Sequence, residues 1–534
     1  MAEYLAPGVY VEEIASGPRP IEGVSTSTTG MAGQTERGPV APRMVTSWPE
    51  YERYYGGYVD RVPGGTACKY LPYAVRGFFD NGGQRLFIAR VTPAAATVAS
   101  VELGNPADTL IAAVGPGTWG NHVVVRAADA SLAVTGTPTA DWFALTLLYF
   151  RDGIPNPLID PTDIANFGNP ARVEPDVSEH YDNLSMLPTD SNYAQSVVNS
   201  TSKLVTLTVG NKPDTTLTTF TPLAGGSDPA AGPVETDYEG SPAAPLEKRT
   251  GLLGLGAIRD ISLIAVPDEV VLPGLRTTII QQCETQKDRF AIFCATAGEQ
   301  DGSLPSLRPP NDSTYGAFYL PWVRVLAMHT PEGNVLVPPH GHLAGIYARV
   351  DNESGVFKAP ANEVVRGIIN RDLSGDAKPL KYILGKREQD MLNPKGVNVI
   401  RDFRSDGRDI RVWGARTMSS DAMWRYINVR RLFIFIEQSI DRGTQWCVFE
   451  PNYEQTWASV RLSISSFLRV AWRDGALAGT TPEEAFFVKC DRTTMLQEDI
   501  DGGRLICLIG VAPVKPAEFV IFRISQKMLD VAPS

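Results

Sequence analysis

Hydrophobic and polar positions alternate along this chain with two periods, and the period changes from region to region. Near the start, Pro7-Gly8-Val9-Tyr10-Val11-Glu12-Glu13-Ile14 reads as a β-strand. Near the end, Glu518-Phe519-Val520-Ile521-Phe522-Arg523-Ile524-Ser525-Gln526 reads as another. Gly17, Pro18 and Pro20 follow the first, and Pro513 and Pro516 precede the last. Chain ends are ordinarily polar and frayed. Apolar strands in those positions need a sheet on which to bury their faces and pair their backbone groups, either at home or on a neighbouring copy.

Between the two strands four textures follow one another. Residues 1–30 form an arm, one strand followed by a Gly/Pro/Ser/Thr-rich stretch. From residue 31 helix and strand signals alternate. Trp48-Pro49-Glu50-Tyr51 opens a short helix, 71–80 is a helix broken by Asn81-Gly82-Gly83, and 85–91 is a strand. Residues 92–245 are rich in Ala, Thr, Pro, Gly and Asp, with alternating pieces at 123–127, 143–150 and 203–209, which predicts a β-rich inserted domain. A strand at 260–266, a helix over 269–289 and a strand at 290–295 then make a βαβ unit, hence a parallel sheet. The α/β domain is therefore discontinuous, 31–91 plus 246–390. From 391 to 515 aromatic, aliphatic and arginine residues are dense. Helices are expected over 420–440 and 453–477; in the second, Trp457, Val460, Ile464, Leu468 and Ala471 share a face. Strands at 485–490 and 504–512 follow, and residues 516–534 form the closing arm. The fold class expected is α/β, an α+β multidomain chain.

Composition narrows the function. At 534 residues, 43 % apolar and 20 % charged, the chain has the material for several cores. The net charge of −11, with no basic block, argues against nucleic acid as a partner. No basic-then-apolar leader and no apolar run near ~20 residues is present, so a soluble cytoplasmic product with no membrane binding is expected. Cys68, Cys283, Cys294, Cys447, Cys490 and Cys507 contain no CxxC pair, which predicts free structural thiols in a reducing compartment.

Candidate chemistry does not accumulate. Gly254-Leu255-Gly256 lacks the third glycine of a dinucleotide loop and precedes its strand, and no Walker, GxSxG or HExxH pattern occurs. His340-Gly341-His342 has no third metal ligand nearby and is expected to be a loop or interface pair. Asp499-Ile500-Asp501-Gly502-Gly503 lacks the later acid of a calcium loop and is expected to be a hairpin turn. Gly117-Thr118-Trp119-Gly120-Asn121 is turn chemistry around a buried Trp. The expectation is a non-enzyme with no catalytic residues, metal or cofactor.

Specific residues then resemble the contractile tail sheath family. They are Leu5-Ala6-Pro7-Gly8-Val9-Tyr10-Val11-Glu12-Glu13-Ile14, Arg37-Gly38-Pro39-Val40, Asn81-Gly82-Gly83, the stretches 338–351 and 355–362, Gly396-Val397-Asn398-Val399-Ile400-Arg401, and above all 503–526. One departure is His340-Gly341-His342, where small polar residues are the family pattern. The resemblance implies a helical homo-oligomer of stacked hexameric rings around an inner tube protein, contacting baseplate and tail-terminator proteins. It implies a virion or phage-tail-like particle assembled in the bacterial cytoplasm, which contracts to drive the tube through a target envelope. Arm strands carrying Val9, Tyr10, Val11 and Ile14, and Phe519, Val520, Ile521, Phe522 and Ile524, would complete the sheets of neighbouring subunits. Arg469 and Arg473, opposite the apolar stripe of the 453–477 helix, would face the tube. The alternatives are a non-contractile self-assembling tube or shell protein, and a multidomain enzyme with an unrecognised site.

Overall fold

The computed structural model describes residues 20–59, 69–104, 107–134, 142–215, 219–327, 330, 333–369 and 378–518. Two compact units divide the chain. The large one comprises residues 25–353 and 360–427, and the small one residues 1–24, 354–359 and 428–534.

The large unit is organised by an eight-stranded sheet. Its strands run, in order across the sheet, Ile410–Trp413, Val397–Asp402, Gly316–Leu320, Phe290–Cys294, Leu263–Ala265, Thr29–Gly33, Leu86–Arg90 and Arg43–Val45. Interior pairs are parallel and only the two edge strands run antiparallel. The central strands are buried throughout, as both-face-covered parallel strands require. The sequence groups residues 391–515 together, yet the strands at 397–402 and 410–413 pair into this large sheet. Side-chain pattern does not reveal which of two sheets a strand joins.

Local chemistry sets several elements. The Ser47 hydroxyl accepts from Glu50 N at 3.3 Å and so caps the helix Trp48–Tyr55. The helix Leu71–Asp80 stops at Asn81, whose side-chain amide donates to Gly77 O at 2.8 Å and to Arg366 O at 3.0 Å. The helix expected over 269–289 is shorter: a 3₁₀ turn, Pro267–Val270, is followed by Leu275–Gln286. Pro273 and Gly274 separate the two, and such residues weaken a helix nucleus. Gly254 and Gly256 lie in a short helix, Gly251–Gly256, not in a phosphate loop.

The His340-Gly341-His342 expectation is corrected: the pair opens the buried helix His340–Ser354. A Cβ on Gly341 would lie 1.8 Å from Ala74 O, and one on Gly77 2.6 Å from the His342 ring. Small residues on both helices permit the close crossing. His340 Nε2 stands 3.0 Å from Glu269 Oε1, which also accepts from Cys294 N at 2.9 Å. Arg276 bonds Glu269 through Nε, Glu299 through Nη1 at 2.9 Å, and Cys294 O through Nη2 at 2.7 Å. Burial opposes the charge of Arg276, but Glu269 and Glu299 outweigh it and hold the guanidinium above its usual range.

Among the described residues His342 has no such partner, and burial pulls its pKa down to about 4. Its neutral form therefore stabilises the fold fully above the unfolded value near 6.5, and that contribution is lost as pH falls toward 4. Replacing His342 by Gln is expected to flatten the pH 4–6.5 limb of the stability profile by about 3 kcal/mol, at ~1.4 kcal/mol per pH unit. Chemical denaturation at stepped pH reads this directly, and an unchanged limb would refute it.

Residues between the strands Leu86–Arg90 and Leu263–Ala265 leave the large sheet and build two antiparallel sheets. One is four-stranded, around Val123–Asp129, Trp142–Tyr149 and Val177–Ser185, and the other three-stranded, with Ser100–Gly104, Ala107–Ala113 and Val205–Thr208. Their shared core holds Ile111, Trp119, Val125, Phe143, Leu145 and Leu207.

Candidate functional site

The small unit is built on two helices, Ile427–Gly443 and Glu454–Arg473, and one two-stranded sheet, Phe486–Lys489 with Leu508–Val511. Leu432, Ile436, Val460, Ile464, Phe467 and Leu468 make its core, with the Phe435 and Phe467 rings 5.8 Å apart. The first helix starts later than the expected residue 420. Asp421 accepts from Met423 N at 2.8 Å and Ser419 Oγ from Asp421 N at 3.1 Å, so side chains cap a separate 3₁₀ turn, Ala422–Trp424.

Both arm roots are pinned to this unit, on opposite ends of the helix Ile427–Gly443. Near its start, Asn428 Nδ2 donates to Val514 O at 3.2 Å and to Phe357 O at 2.8 Å. Towards its end, Ser439 Oγ accepts from Val24 N at 3.1 Å, and Ile21 packs so closely that a Cβ on Gly443 would lie 2.7 Å from it. Neither Asn428 nor Ser439 stood out in the sequence, because the helix carries several other polar and charged residues and only burial and bonding in the fold single these two out. The strand residues Val9, Tyr10, Val11, Ile14, Phe519, Val520, Ile521, Phe522 and Ile524 lie outside the described residues.

Among the described residues the sheet beside these roots has only two strands. Phe486 and Val488, with Ile509 and Val511, pack toward the core, while Phe487 and Leu508 on the other face are 48 % and 53 % exposed. The continuation of the second strand bonds back to the same side: Ala512 N donates to Ala485 O, and Ala478 N to Ala512 O, both at 2.8 Å. Among the described residues no further strand pairs with either outer edge. Two strands alone are marginal in water, and an open edge is a template for an incoming strand. The residues 499–503, expected as a hairpin turn, instead continue a short helix, Gln497–Asp501, within the excursion joining the strands. Asp499 Oδ2 accepts from Leu496 N at 3.0 Å and Oδ1 from Arg504 Nε at 3.0 Å, a cap in place of a turn.

Arg469 and Arg473 sit on the solvent side of the helix Glu454–Arg473, opposite its buried Trp457, Ile464 and Leu468. Among the described residues neither has a carboxylate partner. Leu462 and Val470, 52 % and 54 % exposed, flank them. A face of two unpaired cations beside two aliphatic side chains suits an acidic, partly apolar partner surface. Among the described residues no group of three or more metal-ligating side chains converges, and no helix is long and apolar enough to cross a membrane.

Among the described residues, then, the small unit holds a two-stranded sheet with no further strand on its outer edges, next to the segments at Ile21–Val24 and Val514. Its sequence matches the phage tail sheath C-terminal domain over residues 419–527, and the phage tail sheath protein central domain matches residues 253–418. Together these run unbroken over more than half of the chain, which belongs to the tail sheath family. Among curated relatives, a prophage major tail sheath protein of Pseudomonas aeruginosa (strain UCBPP-PA14) is 27 % identical over 36 % of this chain and 49 % of that protein. The tail sheath protein of Enterobacteria phage T4 is 26 % identical over 35 % of this chain and 26 % of its own length. The chain thus spans about half or less of the curated relatives it matches. Solved structures agree in fold over almost the whole chain. The sheath complex of an extracellular contractile injection system in the contracted state gives a TM-score of 0.55, at 22 % identity over 99 % of both chains. A sheath tail protein from Listeria innocua gives 0.57, at 12 % identity over 93 % of this chain and 96 % of its own.

Proposed function

We propose that this chain is the repeating subunit of a contractile sheath, polymerising helically around an inner tube as stacked hexameric rings. The observation that carries this is the open two-stranded sheet beside two pinned arm roots. A neighbour's arm strand placed on an open edge gains main-chain hydrogen bonds, and its alternate side chains give register. Such a contact is heterologous and non-closing, the condition for an open helical array. In this reading residues 92–245 form an outer inserted domain, and the arms stay engaged while whole subunits rotate during contraction. Baseplate and terminator proteins would bound the cylinder in a phage tail or phage-like particle assembled in the bacterial cytoplasm. A chain of similar fold occurs in the anti-feeding prophage baseplate structure.

The helix Glu454–Arg473 is the tube-facing element in this scheme, with Arg469 and Arg473 set against acidic tube residues. Replacing both by Glu reverses the charge of a solvent-facing surface without touching the core. The expected outcome is an unchanged unfolding midpoint, within ~0.5 kcal/mol as for exposed substitutions, together with loss of cylinders on tubes. Normal particles by electron microscopy would refute the tube-facing assignment.

A further inference from the structure

The sheet register places two cysteines opposite one another. The ladder pairs Phe486 with Val511, Phe487 with Gly510, Val488 with Ile509 and Lys489 with Leu508, so the next facing positions are Cys490 and Cys507. Ala512 N donates to Ala485 O, which makes 485/512 a hydrogen-bonded pair. Pairs alternate along an antiparallel ladder, so 490/507 occupies a non-hydrogen-bonded position. Facing Cα atoms are only about 4.5 Å apart in such positions, inside the roughly 4.4–6.8 Å window of a disulfide. The two side chains pack in one cluster, Cys507 against Cys490. Trp457 and Met495 wall the pair in, and Cys490 is fully buried while Cys507 is only partly buried.

We propose that Cys490 and Cys507 are a redox-responsive pair that closes to a cross-strand disulfide when the protein meets a low-molecular-weight disulfide such as oxidised glutathione. Cys507, the accessible thiol, is the attacking group. Interaction with the neighbouring Cys490 outweighs burial and holds the Cys507 thiol below its usual range, and the Arg461 charge acts in the same direction. The Cys507 thiolate attacks one sulfur of the oxidant, forming a mixed disulfide and expelling one small thiolate. Cys490 then loses its proton and attacks Cys507 Sγ, and the second small thiol leaves. Two protein thiols and one small disulfide become one protein disulfide and two small thiols. The link ties the ends of the 491–506 excursion and locks the strand register beside the open edges. Its chemistry does not depend on the assembly reading, though its bearing on arm docking does.

The test is disulfide mapping of the full chain after incubation with oxidised glutathione, quenching with N-ethylmaleimide and digestion. The expected result is a linked Cys490–Cys507 peptide, lighter by two hydrogens than its reduced parts and separated by dithiothreitol. C507S, at the partly buried position, is expected to abolish it with the fold retained. C490S is expected to do the same, and C447S to leave it unchanged. Cys447 is the discriminating neighbour because it is close enough to feel the Cys490 charge. A dominant link through Cys447 or to a second chain would overturn the proposal, as would full alkylation of both Cys490 and Cys507 after oxidation.

Discussion

Subunits lacking residues 1–20, or everything after Lys515, are expected to fold and to remain unpolymerised. Each cut falls just outside an anchored root: Ile21 and Val24 stay packed on the helix Ile427–Gly443, and Val514 keeps its bond to Asn428. The small-unit core of Leu432, Val460, Ile464 and Leu468 is untouched. In the proposed assembly, what is lost is the strand for a neighbour's open edge. An interface made through main-chain pairing has no substitute once the strand is gone, so the effect is all-or-none. Size-exclusion chromatography with light scattering is expected to report monomers, and electron microscopy no cylinders. Cylinders of normal length from either truncation would overturn the arm-exchange reading while leaving family membership intact.

The second large effect concerns the large unit. Arg276→Met is expected to lower stability by about 3–5 kcal/mol, the cost of stranding a buried charge. Glu269 is fully buried, and without Arg276 it retains only Cys294 N–H and His340 as partners. Arg276 also bridges to Glu299 and to Cys294 O, so its loss uncouples the strand Phe290–Cys294 from two helices. Adding Glu269→Leu removes the stranded carboxylate and is expected to restore part of the loss, because exchanging a buried ion pair for apolar packing is often near neutral. Hydrogen exchange across the strand Phe290–Cys294, combined with denaturant titration, reads both variants. A single substitution costing under ~1 kcal/mol would show that the cluster is not a stability hub.

Much of the alternation of elements was legible in the chain. The helix Leu71–Asp80 and the strands at 86–90, 263–265 and 290–294 follow from period and flanking Gly or Pro, because there local preference and burial demand the same conformation. His340-Gly341-His342 misled because Pro338-Pro339 and a glycine signal a loop locally, whereas the glycine is needed for the helix crossing at Ala74. Residues 499–503 misled similarly: the same Asp and Gly residues serve a short helix cap as well as a turn.

By itself, then, the sequence determined most element types in the described residues, the lack of any recognisable cofactor motif and the arginine face of the helix Glu454–Arg473. Each of these rests on contacts within a few residues or on a periodic face. Only the tertiary structure decided which sheet the strands at 397–402 and 410–413 join. It alone brought Asn428 to Val514 and Ser439 to Val24, left the small sheet with two strands among the described residues, and set Cys490 across from Cys507. Those facts depend on residues up to 415 positions apart meeting in space. Such pairings are selected by the packing of the whole core, and no local period encodes them.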